Sequence, residues 1–247
     1  MFKIILCICA LTLLTSCAQK NTVDKPISVI ATKEPEAETE KINKINDITF
    51  LGESTTYHLK SRGVLKNGKE TKQVWAPQSG TLMLDSAICD CRIIYPESGE
   101  EISLEEALKR KQPKIMLLTF GLNGATSFIS RGEDYFKFCY QKLINLIKES
   151  SPNTKIIINS CFPVAENMNM SNYSITSKTL NSYINTINSW AESLADENGV
   201  SFTDSASVLK DSRGYLLPTL QAEDGYHLNT SAYKVILEYL NNELQKQ

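Results

Sequence analysis

Histidine is nearly absent: the 247 residues contain two, His58 and His227. No histidine pair and no second cysteine pair accompanies Cys89-x-Cys91. The chain therefore lacks zinc-ligand spacing, and no metal or other cofactor is expected. No strongly basic stretch occurs, and 26 basic residues against 28 acidic ones leave a formal charge of −2. Nucleic acid is not expected as a partner. No internal repeat and no second domain is visible. The N-terminal apolar run, Ile4 to Leu14, spans about eleven residues, too few to cross a bilayer as a helix.

What is present begins at that run. Lys3 supplies a short positive region before it, and Leu14-Thr15-Ser16-Cys17 follows it. Small residues before a cysteine fit signal cleavage, and this tetrapeptide resembles a bacterial lipobox. The resemblance implies a signal peptide over 1–16, lipid on Cys17, and an extracytoplasmic protein anchored to a bacterial membrane. The alternative is a plain secretory signal with a chance cysteine; the position of Cys17 at the end of the apolar run favours the lipobox. Residues 17–46 are rich in Lys, Glu, Thr, Pro and Asn and have little to bury, which predicts a lipidated N-terminus and disordered tether. One folded domain is expected over 47–247.

Four cysteines fall in that domain. Cys139 lies in a helical pattern, and Cys89, Cys91 and Cys161 lie in apolar stretches. An exported protein could pair them, but buried free thiols fit these settings better.

Within the domain, short apolar runs alternate with helical patterns. Ile48–Leu51, Gln73–Trp75, Ile115–Phe120, Lys155–Ser160 and Val200–Phe202 read as strands, and Ile93–Tyr95 as a short extended piece. Helices are predicted from Ser54 to about Arg62, from Ser103 to about Lys111, over Glu133–Ser150, over Ser177–Asn198, and from Asn229 or Thr230 to about Leu244. Ser103 to Glu106 has the form of a capping box. Thr81 to Ala87 reads as a helical turn or more. Apolar strands alternating with helices predict an α/β fold with a mostly parallel sheet of about five strands, covered on both faces.

Ligands of such folds bind at the carboxyl ends of the strands. Three of those ends carry chemistry. Gly52-Glu53-Ser54 follows the first strand, Gly121-Leu122-Asn123-Gly124 follows the third, and Asp224-Gly225-Tyr226-His227 lies beyond the last. A serine nucleophile needs a base against its hydroxyl and a third group to orient the base. Ser54 stands where a strand turns into a helix, so its backbone N–H also sits at a helix start. Asp224, three residues before His227, can lie beside the imidazole in a turn. Asn123 offers an amide donor. His58, one helical turn after Ser54, reads as a solvated or capping-turn histidine, and Tyr57 and Tyr226 as pocket lining or aromatic packing.

The order Gly52-Glu53-Ser54, Gly80, Gly121-Leu122-Asn123, Asp224-Gly225-Tyr226-His227 resembles the SGNH hydrolases, also called the GDSL esterase/lipase family. The likeness runs from about Ile48 to the C-terminus. It implies a three-layer α/β/α sandwich of flavodoxin-like form. It also implies Ser54 as nucleophile, His227 as base, Asp224 as its partner, and an oxyanion hole made by the Ser54 and Gly80 N–H groups and the Asn123 side chain. Two residues depart from the family pattern. Glu53 stands in place of the usual aspartate, and Gly124 in place of the aspartate that often follows the asparagine, so support for Asn123 must come from elsewhere. Gly80 is assigned by its place after the second strand; Gly63 and Gly68 precede that strand and fit worse.

The function this implies is hydrolysis of an ester; the expected surface location makes an acyl group on a carbohydrate or cell-envelope component the expected substrate. No large apolar lid segment suggests a lipase. Acyl transfer would use the same three residues. A non-catalytic glycan-binding surface lipoprotein is the alternative of a different kind.

Overall fold

In the computed structural model, which describes residues 44–168 and 175–246, the chain enters through a 3₁₀ turn over Lys44–Asp47. The signal peptide, Cys17 and most of the tether lie outside the described residues. Ile45 is buried in the turn, and the Lys44 amide donates to Asn241 Oδ1 at 3.0 Å. The packed domain thus takes in three residues that composition assigns to the tether.

Strand β1, Ile48–Gly52, is buried throughout and leads through Glu53 into helix α1, Ser54–Ser61. There follow β2, Val74–Trp75, and a small antiparallel pair, β3, Arg92–Ile94, with β4, Glu101–Ser103. Helix α2, Leu104–Lys111, comes next, then β5, Ile115–Thr119. Helices α3, Ala125–Arg131, and α4, Glu133–Ser150, precede β6, Lys155–Asn159. Helix α5, Ser177–Asn198, strand β7, Ser201–Thr203, and helix α6, Thr230–Gln245, complete the chain.

The main sheet has the order β2-β1-β5-β6-β7, every pair parallel. Alternation along the strands divides its side chains. Phe50, Val74, Leu117 and Ile157 pack with Leu59 of α1 and with Tyr233, Ile236 and Leu240 of α6. Leu51, Leu118, Ile156 and Ile158 pack with Leu104, Phe128, Phe136 and Ile184 of α2 to α5. Burial of each such side chain contributes roughly 1.5–3 kcal/mol. The result is the expected α/β/α sandwich. Counting the sheet strands alone, the order is 2-1-3-4-5, and the chain reverses its direction of travel across the sheet between β1 and β5. That is where open α/β sheets bind ligands.

Local signals account for most boundaries. The Ser103 hydroxyl accepts from the Glu106 amide at 3.1 Å, while the Glu106 carboxylate turns to Arg110; the capping box is half made. Gly199 takes a left-handed conformation (φ +61°) and ends α5. Asn229 Oδ1 caps α6 through the Ala232 amide at 3.1 Å.

Two segments differ from the expectation. Thr81–Leu84 has no regular secondary structure, Ser86 and Ala87 form a turn, and the helical turn that follows is 3₁₀, over Ile88–Asp90. Leu82 and Leu84 are buried and Met83 is exposed, so the period is two, and the Leu82 amide reaches the Gly52 carbonyl at 3.3 Å. Helix α3 is the second difference. Only Ala125 and Phe128 are buried in it, which leaves too weak a stripe to read as a helix. Cys89, Cys91, Cys139 and Cys161 are free thiols, the last two buried.

Candidate active site

The end of β1 runs close to its neighbours. A Cβ at Gly52 would collide with the Thr119 carbonyl and the Thr56 side chain, so only glycine lets the chain turn here. That turn sends the next two side chains in different directions. Glu53 is buried at 1 % exposure, and Ser54 begins α1 at the rim.

Ser54 Oγ lies 3.1 Å from His227 Nε2. His227 Nδ1 lies 2.6 Å from Asp224 Oδ2. With Nδ1–H donating to the carboxylate, Nε2 is left to accept from the serine hydroxyl. The other carboxylate oxygen, Oδ1, accepts from the amides of Tyr226 and His227, each at 2.9 Å. Burial works against the Asp224 charge, but the His227 amide and imidazole and the Tyr226 amide outweigh it and hold the carboxyl below its ordinary range. The turn between them depends on Gly225 (φ +67°), where a Cβ would meet the backbone of Met168 at 2.7 Å. The Ala222 amide closes the turn by donating to the His227 carbonyl at 2.8 Å.

Asn123 reaches the same rim from the end of β5. Its Nδ2 donates to Thr81 Oγ1 at 3.2 Å, which leaves a second hydrogen on Nδ2. Its Oδ1 accepts from the Tyr226 hydroxyl at 2.9 Å. Its backbone N–H donates to Glu53 Oε2 at 3.0 Å, and the Gly121 amide donates to Glu53 Oε1 at 2.9 Å. The support that Gly124 cannot supply therefore comes from Glu53 for the loop and from Thr81 and Tyr226 for the side chain. The Ser54 N–H, at the start of α1, has no protein acceptor among the described residues.

Two expectations need correction. The Gly80 N–H is donated to the Pro77 carbonyl at 2.9 Å, so it is not aimed at the Ser54 rim as an oxyanion donor. Gly80 is required there for another reason: with φ +77°, a Cβ would lie 2.8 Å from the Tyr57 ring. His58, read as a solvated or capping-turn histidine, lies half-buried in the last turn of α1 and packs on His227. Its ring centroid is 4.8 Å from that of His227, and its Nδ1 is buried with no partner among the described residues. Burial first, then the charge of His227, lowers its pKa to about 4, so it stays neutral near pH 7. Among the described residues, no group of three or more His, Cys, Asp and Glu side chains could hold a metal ion.

Burial raises the Glu53 pKa to about 8, against the opposing pull of the Gly121, Asn123 and Leu122 amides. This has a consequence for stability. Between the ordinary value of 4.5 and about 8 the folded state holds a proton that the unfolded state has lost. The Glu53 contribution is therefore complete below pH 4.5 and falls as pH rises through 8. His58 works the other way between about 4 and 6.5. Comparison of wild type with Glu53→Gln isolates the glutamate: the gap in urea midpoint between them should shrink steadily from pH 5 to pH 8.5. A gap that widens over that range would reverse the assignment.

A hydroxyl against an imidazole that a carboxylate holds can be deprotonated as it attacks an electrophilic carbon. Adjacent N–H donors can take up the negative charge that results.

A model of the GDSL-like lipase/acylhydrolase family matches residues 50–235. Solved structures share the fold. A Streptococcus pneumonia protein assigned as a platelet activating factor is 18% identical, with a TM-score of 0.52 over 80% of this chain and 83% of its own. A Bacteroides fragilis protein assigned as an acylhydrolase is 16% identical, with a TM-score of 0.51 over 87% of this chain and 99% of its own. A GDSL-like lipase from Bacteroides thetaiotaomicron is 14% identical, with a TM-score of 0.51 over 83% and 91%. A search of curated proteins by sequence gives no match.

Proposed function

The chain belongs to the GDSL-like lipase/acylhydrolase family and is a serine hydrolase acting on esters; from that premise we propose that Ser54 is its nucleophile, His227 its base and Asp224 the group that holds the base. The continuous contact from Ser54 Oγ through the imidazole to the carboxylate, 3.1 and 2.6 Å, carries this reading.

The steps follow from the contacts. Ser54 Oγ attacks the ester carbon while its proton passes to His227 Nε2. The carbonyl oxygen becomes negative, and the Ser54 N–H and the second hydrogen of Asn123 Nδ2 receive it. His227 then gives its proton to the departing alcohol oxygen, and the acyl group stays on Ser54. Water attacks the acyl-enzyme with its proton going to Nε2, and the acid leaves as Ser54 regains its hydrogen. Asp224 holds the proton-bearing Nδ1 throughout and stabilises the imidazolium. Assay of the full chain against acetylated sugars and aryl esters tests the ester class; no turnover of any of them would oppose it.

Tyr226 has a measurable part in this scheme. Its hydroxyl fixes which way the Asn123 amide faces. One neutral hydrogen bond is worth about 0.5–1.5 kcal/mol, so Tyr226→Phe should lower kcat roughly three- to tenfold and leave KM nearly unchanged. In an Asn123→Ala background the same change should have no further effect on kcat. Equal effects in both backgrounds would mean that Tyr226 does not act through Asn123.

The proposed substrate is an acyl ester of a carbohydrate or another cell-envelope component. Support comes from the lipobox at Leu14-Thr15-Ser16-Cys17, which would hold the domain at a bacterial membrane on a tether from Cys17 to about residue 43. Cys17→Ala should then move the protein from the detergent phase to the aqueous phase of a detergent partition, since lipid chains contribute about 0.8 kcal/mol per buried CH₂. Wild type found in the aqueous phase, like the variant, would remove the anchor.

A further inference from the structure

A cavity of about 310 Å³ opens beside Asn123, walled by Met83, Leu122, Ala125, Thr126, Leu180 and the Tyr226 ring. Neither Ser54 nor His227 is among the described residues that line it. Its place is informative once the reacting carbon is on Ser54. That carbon then bears three groups besides Oγ. Its oxyanion points to the Ser54 N–H and Asn123 Nδ2. Its departing oxygen must take a proton from His227 Nε2, so the alcohol lies on the His227 side. The acyl chain is the group left, and among the described residues this cavity is lined by the oxyanion donor Asn123 and by neither Ser54 nor His227.

Its chemistry selects among occupants. Four of its walls are aliphatic or thioether side chains, and among the described residues no charged side chain lines it. Of the Asn123 amide, Oδ1 is taken by Tyr226 and one Nδ2 hydrogen by Thr81, and the other hydrogen is the one given above to the oxyanion. A sugar seated here would set hydroxyls against mostly apolar walls, at a cost of roughly 1–3 kcal/mol for each one that loses water and is left unmatched. A hydrocarbon chain has no such cost and gains about 0.8 kcal/mol per buried CH₂. The volume is also far more than one methyl group fills. We propose that this cavity is the acyl subsite and that it takes an uncharged aliphatic chain longer than acetyl, the sugar or other alcohol lying on the opposite, His227 side. The inference rests on the roles given above to Ser54, His227 and Asn123.

The test holds one half of the ester constant at a time. Full-length protein in detergent is assayed with p-nitrophenyl esters from acetate to octanoate, and with acetate esters of alcohols of increasing size. Wild type should prefer hexanoate to acetate by at least tenfold in kcat/KM. Thr126→Trp and Met83→Trp fill the cavity from two separate segments, both from exposed positions that tolerate a larger side chain. Each should reduce the hexanoate-to-acetate ratio at least tenfold and leave the alcohol ratios in place. A flat acyl profile in wild type, or tryptophan variants that alter the alcohol ratios and not the acyl ratio, would overturn the assignment. Ser54→Ala separates the two levels. If it is inactive and the acyl profile is flat, only the subsite fails; if it still turns over esters, the underlying mechanism fails.

Discussion

Ser54→Ala is expected to lower kcat/KM by about 10⁴- to 10⁶-fold while leaving the fold unchanged. The serine is half-buried at the rim, and among the described residues its hydroxyl makes one side-chain hydrogen bond, to His227. Loss of that oxygen removes the atom that attacks and little else. His227→Ala should cost about as much, because a hydroxyl without its base is a weak nucleophile at neutral pH. The double variant should be no slower than either single one, since the two groups act as a unit. Asp224→Asn should keep the turn, because its remaining oxygen can still accept from the Tyr226 and His227 amides. It should nonetheless lose about 10⁴ in kcat. An amide facing Nδ1 favours the tautomer with the proton on Nε2, which cannot accept from Ser54. Steady-state kinetics on one aryl ester checks all four. A Ser54→Ala protein retaining a tenth of wild-type activity would exclude Ser54 as nucleophile.

Asn123→Ala is expected to lower kcat by roughly 10² to 10³ with little change in KM. The backbone of this loop hangs on Glu53 through the Gly121 and Asn123 amides, so truncation of the side chain does not release it. The loss falls on the transition state, where the carbonyl oxygen carries charge, and not on the ground state. The effect should be near the upper end of that range. The Gly80 amide, which the family pattern offers as a third donor, is bonded to Pro77, leaving the Ser54 N–H as the other donor proposed among the described residues. A loss under threefold, or one seen chiefly in KM, would take Asn123 out of the oxyanion site.

The parts of this site that are readable in sequence are those set by local geometry. Asp224 and His227 are three residues apart, and a single turn brings the carboxylate to the imidazole. Ser54 is marked by Gly52 and by the change of period from strand to helix. The parallel sheet is marked by apolar runs alternating with helical stripes, and five strands do pair as those runs suggest. What is not readable depends on chain closure between distant segments. Glu53 differs from the usual residue by one methylene, yet it reaches the Gly121 and Asn123 amides at the end of the neighbouring strand, some 70 positions on in sequence. The Tyr226 hydroxyl meets an asparagine 103 positions earlier. His58 lies one helical turn past Ser54 but takes its character from His227, brought there by a different part of the chain. For Gly80 the residue type shows that the backbone needs freedom; only the Pro77 turn shows where its N–H points. Thr81 to Ala87 reads as a helical turn or more, and the alternation of buried and exposed residues over Thr81–Leu84 becomes decisive only beside β1.

The most direct test of Ser54 as nucleophile is covalent. A serine-directed phosphonate needs an activated hydroxyl, a base beside it and donors for the phosphoryl oxygen, which are the groups assembled at this rim. Incubation of the full chain with such a probe, followed by peptide mass spectrometry, should give one adduct, on Ser54. The adduct should be absent from Ser54→Ala and formed far more slowly in His227→Ala. An adduct mapped to another serine, or equal labelling of wild type and Ser54→Ala, would contradict the account.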